Sequence, residues 1–258
     1  MIKANPKKPL VSIILPVYKS EKYLESCLKS LSNQTYENIE IIAVVDYLGD
    51  NSLKILKKHK RTNKRLRIYN NLQRYGLAST LNRAVKLSKG QYLAFMDSTS
   101  IADRNRISKQ LSFLKKNEKI GAVGTQITFI NDKNRMISNS NFPLLNEDIY
   151  QHLMSTEDFK FETAMIAKTR LPNDIIRFNK NTVYPLIYSE VFLKIGKYTK
   201  LANLPDPLIR VRTVSSQSKK MIRIDKKISF IKVLFESTTM HEYKPSIRSI
   251  FSPIIKQI

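Results

Sequence analysis

A repeated alternation constrains this chain more than any other feature. Apolar runs at Leu10 to Leu15, Ile39 to Val45, Leu66 to Tyr69 and Tyr92 to Met96 are separated by stretches whose apolar residues recur at helical spacing. Strands alternating with helices in this way predict an α/β fold, with a mostly parallel central sheet and helices on both faces. In such a sheet the ligand site lies beyond the carboxyl ends of the strands. Two of the runs stop on a lone carboxylate there: Asp46 closes the second, and Asp97 closes the stretch from Gly90 to Thr99. A polar residue ending a buried run is a candidate site residue; a solvated strand end or helix cap is the competing role.

Between the strands, Ser20 precedes a helical pattern from Glu21 to Leu31, Ser52 to Lys60 forms a second helix and Leu77 to Lys89 a third. Beyond Thr99 the pattern loosens. A helix is expected from Arg104 to Lys116, a strand from Ala122 to Ile130, and a polar loop or pair of edge strands from Asn131 to Asn146. Helical patterns follow at Glu147 to Met154 and Ser189 to Lys197, with an extended run at Ala164 to Ala167. Pro205 and Pro207 read as punctuation before a further extended run from Leu208 to Val214. Ile228 to Phe235 reads as a helix packed on the domain, with a membrane-surface role as the alternative. One large domain over 1–217 is expected, split into halves 10–125 and 126–217, with a basic helical extension over 218–258.

With 258 residues, 42% of them hydrophobic, the chain can bury a substantial core. The single cysteine, Cys27, excludes an internal disulfide framework and fits a reducing, cytoplasmic compartment. The apolar run after the basic first residues is too short for a signal peptide, and no run is long enough to span a bilayer. Lys and Arg outnumber Asp and Glu 45 to 21, for a net charge of +24. An anionic partner is therefore expected, and nucleic acid, an anionic membrane surface and a phosphorylated small molecule all fit the charge. The densest basic stretch, Lys54 to Arg67, lacks interleaved aromatics, which argues against single-stranded nucleic acid. His59, His152 and His241 show no ligand spacing, and neither a Gly-x-Gly-x-x-Gly nor a Walker loop follows the first strand.

One ordered set of short motifs goes further. Val11 to Tyr18, Tyr23-Leu24 through Tyr36, and Glu40 to Asp46 are followed by Gly76-Leu77-Ala78 with Leu81 to Ala84, Gly90 to Asp97, Asn105 to Gln110, Ile120 to Gly124, and Leu201 to Arg210. Together they resemble the family 2 glycosyltransferases of GT-A fold, the nucleotide-diphospho-sugar transferase fold. The resemblance implies transfer of a sugar from a nucleotide-diphosphate donor, with a UDP-sugar expected, to a glycan or lipid-linked acceptor hydroxyl, with inversion. It also implies Mg²⁺ or Mn²⁺ on the diphosphate and a general base for the acceptor proton. The alternative is a catalytically inactive GT-A domain that binds a nucleotide, a glycan or a partner.

Carried over position by position, the resemblance places Pro16, Val17 and Tyr18 beside the nucleotide and Asp46 at the base edge, with Tyr47 where many relatives have a second acid. Asp97 matches the first acid of the Asp-x-Asp element and is the candidate metal ligand; Thr99 stands in the second acid's place. Ile187 and Tyr188 fall where relatives carry the acidic pair that supplies the base, which leaves Glu190, two residues on, as the remaining candidate. Val214 falls where relatives often carry a histidine. Positive side chains, among them Arg74, Arg104, Arg210 and Arg212, are candidates to replace the cation.

Overall fold

The computed structural model describes residues 8–155, 159–213, 224–247 and 249–250. The basic first residues and the boundary expected at 217/218 lie outside them. In chain order the elements are β1 (Val11–Val17), α1 (Glu21–Ser32), β2 (Ile39–Val45), α2 (Ser52–Thr62), β3 (Leu66–Asn70), α3 (Leu77–Leu87), β4 (Tyr92–Phe95), β5 (Ile101–Ala102), α4 (Arg106–Lys116), β6 (Ile120–Ile130), β7 (Met136–Asn139), α5 (Asn146–Gln151), β8 (Met165–Ala167), α6 (Leu186–Gly196), β9 (Lys200–Arg212) and α7 (Ile224–Met240).

The sheet runs β3-β2-β1-β4-β8-β6-β9-β5, with β7 paired to β6. Its first four strands are parallel. Next to them β8 is inserted antiparallel between β4 and β6, and β9 runs parallel to β6. The pleat of β1 distributes the core to both faces. Val11, Ile13, Leu15 and Val17 join Leu24, Leu28 and Leu31 of α1, Leu56 of α2 and Leu111 of α4 on one side. Ile14 faces the other side, where Leu81 of α3 and Val191 and Phe192 of α6 pack with Phe95 and Phe161. The α1 positions Leu24, Cys27, Leu28 and Leu31 form the i, i+3, i+4, i+7 stripe that buries one helix face.

Two features differ from a plain reading of the pattern. Pro205 and Pro207 lie inside β9 rather than before it. Thr125 pairs with Leu204 and Gln126 with Pro207, so Pro205 and Asp206 bulge out of the ladder; a bulge tolerates the missing N–H that a regular ladder does not. Pro16 stays in register with Val44 of β2 and falls beyond the last β1–β4 pair, Ile14 with Phe95. The α6 helix begins at Leu186, three residues earlier than its periodicity indicates, because the helix is apolar nearly all round and buried.

Candidate active site

The carboxyl ends of β1, β2 and β4 lie side by side, and their loops bring the candidate donor residues together. At the end of β2, Asp46 is buried. Its Oδ1 accepts from Asn71 Nδ2 at 2.6 Å and from the Tyr75 N–H at 2.9 Å, and its Oδ2 from the Gly76 N–H at 2.8 Å. Asp46 therefore fixes the loop from Asn71 to Gly76, where Gly76 supplies a φ of 83° that suits glycine. An ionised carboxylate has about four acceptor positions, so roughly one remains for a ligand.

That loop carries Arg74 to Tyr18. The Arg74 guanidinium stands 4.9 Å from the Tyr18 ring centroid. Lys19, held at a left-handed φ of 48°, sets its Nζ 5.7 Å from the Tyr18 centroid and 5.2 Å from that of Tyr47. The two rings meet edge to face at 5.5 Å. The Tyr47 ring lies against Gly49, where a Cβ would come within 2.4 Å of it. One exposed ring, Tyr18, one half-buried ring, Tyr47, and two cations thus stand beside the end of β2; Lys19 carried no signal of its own in the sequence.

The loop after β4 is held from two sides. Ser98 Oγ lies 2.6 Å from Ser20 Oγ, and the Ser20 hydroxyl also donates to the Tyr18 carbonyl. Arg212, the last residue of β9, donates from Nε to the Thr99 carbonyl at 3.2 Å and from Nη1 to the Asn131 carbonyl at 3.1 Å, and stacks 4.2 Å over Tyr23. Arg212 is thereby a buried backbone clamp. Arg104 and Arg210 are exposed, and of the four candidate arginines Arg74 is the one beside Tyr18.

Asp97 itself is exposed, and its Oδ1 accepts from the Thr99 N–H at 2.7 Å and the Thr99 hydroxyl at 2.5 Å. A dication prefers several oxygen ligands, carboxylates above all. Here one carboxylate is offered, one of its oxygens is engaged by Thr99, and among the described residues no group of three His, Cys, Asp or Glu is placed to hold a metal. These residues do not fit a resident divalent cation.

At the inferred base position, Tyr188 stacks flat on Phe161, 3.9 Å between centroids and 5° between planes, and burial raises its pKa well above the ordinary phenol value. Glu190, about 200° further round α6, is buried with both oxygens committed. Its Oε2 accepts from the Thr182 hydroxyl at 2.6 Å and its Oε1 from Lys194 Nζ at 2.5 Å. It lines a cavity of about 420 Å³ with Asn82, Arg177, Asn179 and Lys180. A different acid, Glu162, lies in the single 3₁₀ turn Phe161–Thr163 that precedes β8. No sequence pattern pointed to it.

A family model described as glycosyl transferase family 2 matches residues 12–183. An uncharacterized glycosyltransferase of Haemophilus influenzae is 29% identical over 247 residues, covering 93% of this chain and 76% of the relative. Among solved structures, residues 1–349 of TarS from S. aureus, in complex with UDP-GlcNAc, superpose with a TM-score of 0.72 at 18% identity, covering 90% of this chain and 67% of that one. The mannosyltransferase PcManGT from Pyrobaculum calidifontis, in complex with GDP-Man and Mn²⁺, gives 0.63 at 16% identity, covering 97% and 69%. At these identities the two structures show a shared fold.

Proposed function

The chain belongs to glycosyl transferase family 2 and has the GT-A fold, and from that premise we propose that it binds a UDP-sugar at the ends of β1, β2 and β4 and transfers the sugar to a hydroxyl of a glycan or lipid-linked acceptor. The observation that carries this reading is the cluster at the end of β2, where Asp46 braces the loop that sets Arg74 over Tyr18 beside Lys19 and Tyr47. The tyrosine faces offer stacking for a flat base. The remaining lone pair of Asp46 accepts from the base edge. Lys19 and Arg74, held over the tyrosine rings, supply positive charge for the departing diphosphate. Pro16 and Val17 fix the approach of the loop.

A second reading is favoured by one observation, the replacement of the acidic pair by Ile187 and Tyr188: a domain that binds donor and does not turn it over. Calorimetric titration with UDP, GDP, UDP-GlcNAc and GDP-mannose, each with Mn²⁺ and with EDTA, followed by an assay of nucleotide release, separates the two. UDP-sugar binding that survives EDTA, with release of UDP, is the expected result. Binding without release supports the second reading, and a nucleotide affinity that appears only with Mn²⁺ overturns the assignment of Lys19 and Arg74.

Contact with an anionic membrane surface belongs to the same proposal, because it brings the site to lipid-linked acceptors. It is supported by the net charge of +24 and by Ile228, Ile231 and Phe235, exposed along one side of α7. No helix among the described residues is long and apolar enough to cross a membrane. Cytoplasmic placement rests on the single, buried cysteine.

A further inference from the structure

We propose that Glu162 is the general base of this site, taking the proton of the acceptor hydroxyl in place of the acidic pair displaced by Ile187 and Tyr188. The inference rests on the transferase reading above and names the group which that reading leaves unassigned.

Strand register carries it. The antiparallel ladder between β4 and β8 pairs Tyr92 with Ala167, Leu93 with Ile166 and Ala94 with Met165. It continues one step beyond the strands, where the Phe95 N–H donates to the Ala164 carbonyl at 2.9 Å. The 3₁₀ turn Phe161–Thr163 ends the ladder there and holds Glu162 near the end of β4, within reach of the Asp97 charge. Buried Arg106 staples the two chains there, because its Nη2 donates both to the Phe95 carbonyl at 2.7 Å and to the Glu162 carbonyl at 3.1 Å. The neighbouring residue, Phe161, is the one stacked on Tyr188. Glu162 thus stands between the acid at the end of β4 and the ring that fills the family's base position.

Its carboxylate, unlike those of the buried glutamates Glu40 and Glu190, is uncommitted among the described residues. Glu40 is held by Ser12 and Arg67, and Glu190 by Thr182 and Lys194. Among the described residues no other side chain donates a hydrogen bond to Glu162. Its surroundings are those of a working base: burial raises its pKa and Asp97 adds to the rise, while its own N–H, Lys160 and Arg106 oppose it. Tyr184 and Tyr188 feel the charge of both Glu162 and Asp97, which places all four groups in one neighbourhood.

In the step this assigns, the acceptor oxygen attacks the anomeric carbon as its proton passes to the Glu162 carboxylate. The bond from that carbon to the diphosphate oxygen breaks, and its electron pair leaves with the nucleoside diphosphate. Glu162 then returns the proton to solvent, so no co-reactant is required.

The test uses the full chain with UDP-GlcNAc and UDP-glucose, measuring donor affinity by calorimetry and UDP release with water as acceptor. A positioned base contributes about 10²- to 10⁴-fold, so Glu162→Gln is expected to keep the donor Kd within about threefold while UDP release falls by at least about a hundredfold. Glu162→Ala is expected to recover part of that rate in added formate, which a merely structural counter-charge to Arg106 would not do, and Tyr188→Phe is expected to retain the parent rate. Parent-like turnover by Glu162→Gln, or equal loss of affinity and rate, overturns the base assignment and leaves the donor reading intact. Donor binding by the parent chain without UDP release also overturns the base alone. A parent chain that binds none of the nucleotides overturns the donor reading, and the base falls with it.

Discussion

Asp46 shows how a single carboxylate positions a site it touches only in part. Its three bonds reach two backbone N–H groups and one amide of the loop that carries Arg74. Replacing it with alanine removes the acceptor of two part-buried backbone N–H groups and one of the two acceptors of the buried Asn71 amide, at a cost of about 2 kcal/mol. Asp46→Ala is therefore expected to lower the melting temperature and to weaken UDP binding by at least about tenfold; parent-like affinity in calorimetry refutes its place in the donor site. Thr99 makes the opposite case. Its hydroxyl and N–H hold Asp97 Oδ1, so Thr99→Asp exchanges a hydrogen bond for a second carboxylate. The variant is expected to gain Mn²⁺ affinity, read by calorimetry, and to be less stable than the parent in EDTA, read by thermal melting. Asp46 and Asp97 were legible in the sequence because each ends an apolar run. Glu162 was not, because a one-turn 3₁₀ segment has no period, and only the pairing of β8 with β4 brings that turn to the end of β4.

Between elements, Glu40 is the strongest tie on the side of the sheet away from the site. It accepts from Ser12 Oγ of β1 at 2.6 Å, from Arg67 of β3 at 2.6 Å and from the Lys89 N–H before β4 at 2.6 Å. Burial pushes its pKa up, but the bonds from Ser12, Lys89 and Arg67 outweigh it and hold the carboxyl below the ordinary glutamate value of 4.5. A carboxyl depressed in the folded state contributes stability that is present above 4.5 and is lost as pH falls through the lower, folded value. Glu40→Gln is expected to cost about 1.5–3 kcal/mol at neutral pH, and the gap in melting temperature should close as the pH is taken well below 4.5; a gap independent of pH counts against the ionised tie. The tie also shows why part of the basic stretch is not a ligand surface, since Arg67 is paired with Glu40 and Arg65 donates to the Ser32 carbonyl. The parallel strands were legible because each is short, apolar and bounded by a helix. The prolines of β9 misled because proline marks a turn and a bulge by the same local chemistry.

At the scale of the molecule, positive charge and one apolar helix face act together. Ile228, Ile231 and Phe235 on α7 are 61%, 66% and 68% exposed, while Phe230 and Val233 on the opposite side are buried. Lys227 and Lys232 border the exposed side. Binding to phosphatidylserine vesicles is expected to weaken as salt rises and to fall by at least about tenfold in Ile231→Glu with Phe235→Glu; salt-independent binding, or equal binding by the double variant in a sedimentation assay, removes the membrane from the proposal. The clamp at Arg212 has a consequence in time. Each candidate donor-side residue lies within the first hundred positions of the chain, yet the carbonyl of Thr99 is held by a guanidinium more than a hundred positions later. A chain ending at β6 would carry the candidate donor residues without the clamp on the loop after β4. The loop that carries Asp97 and Thr99 is therefore fully tied down only once β9 has paired with β6.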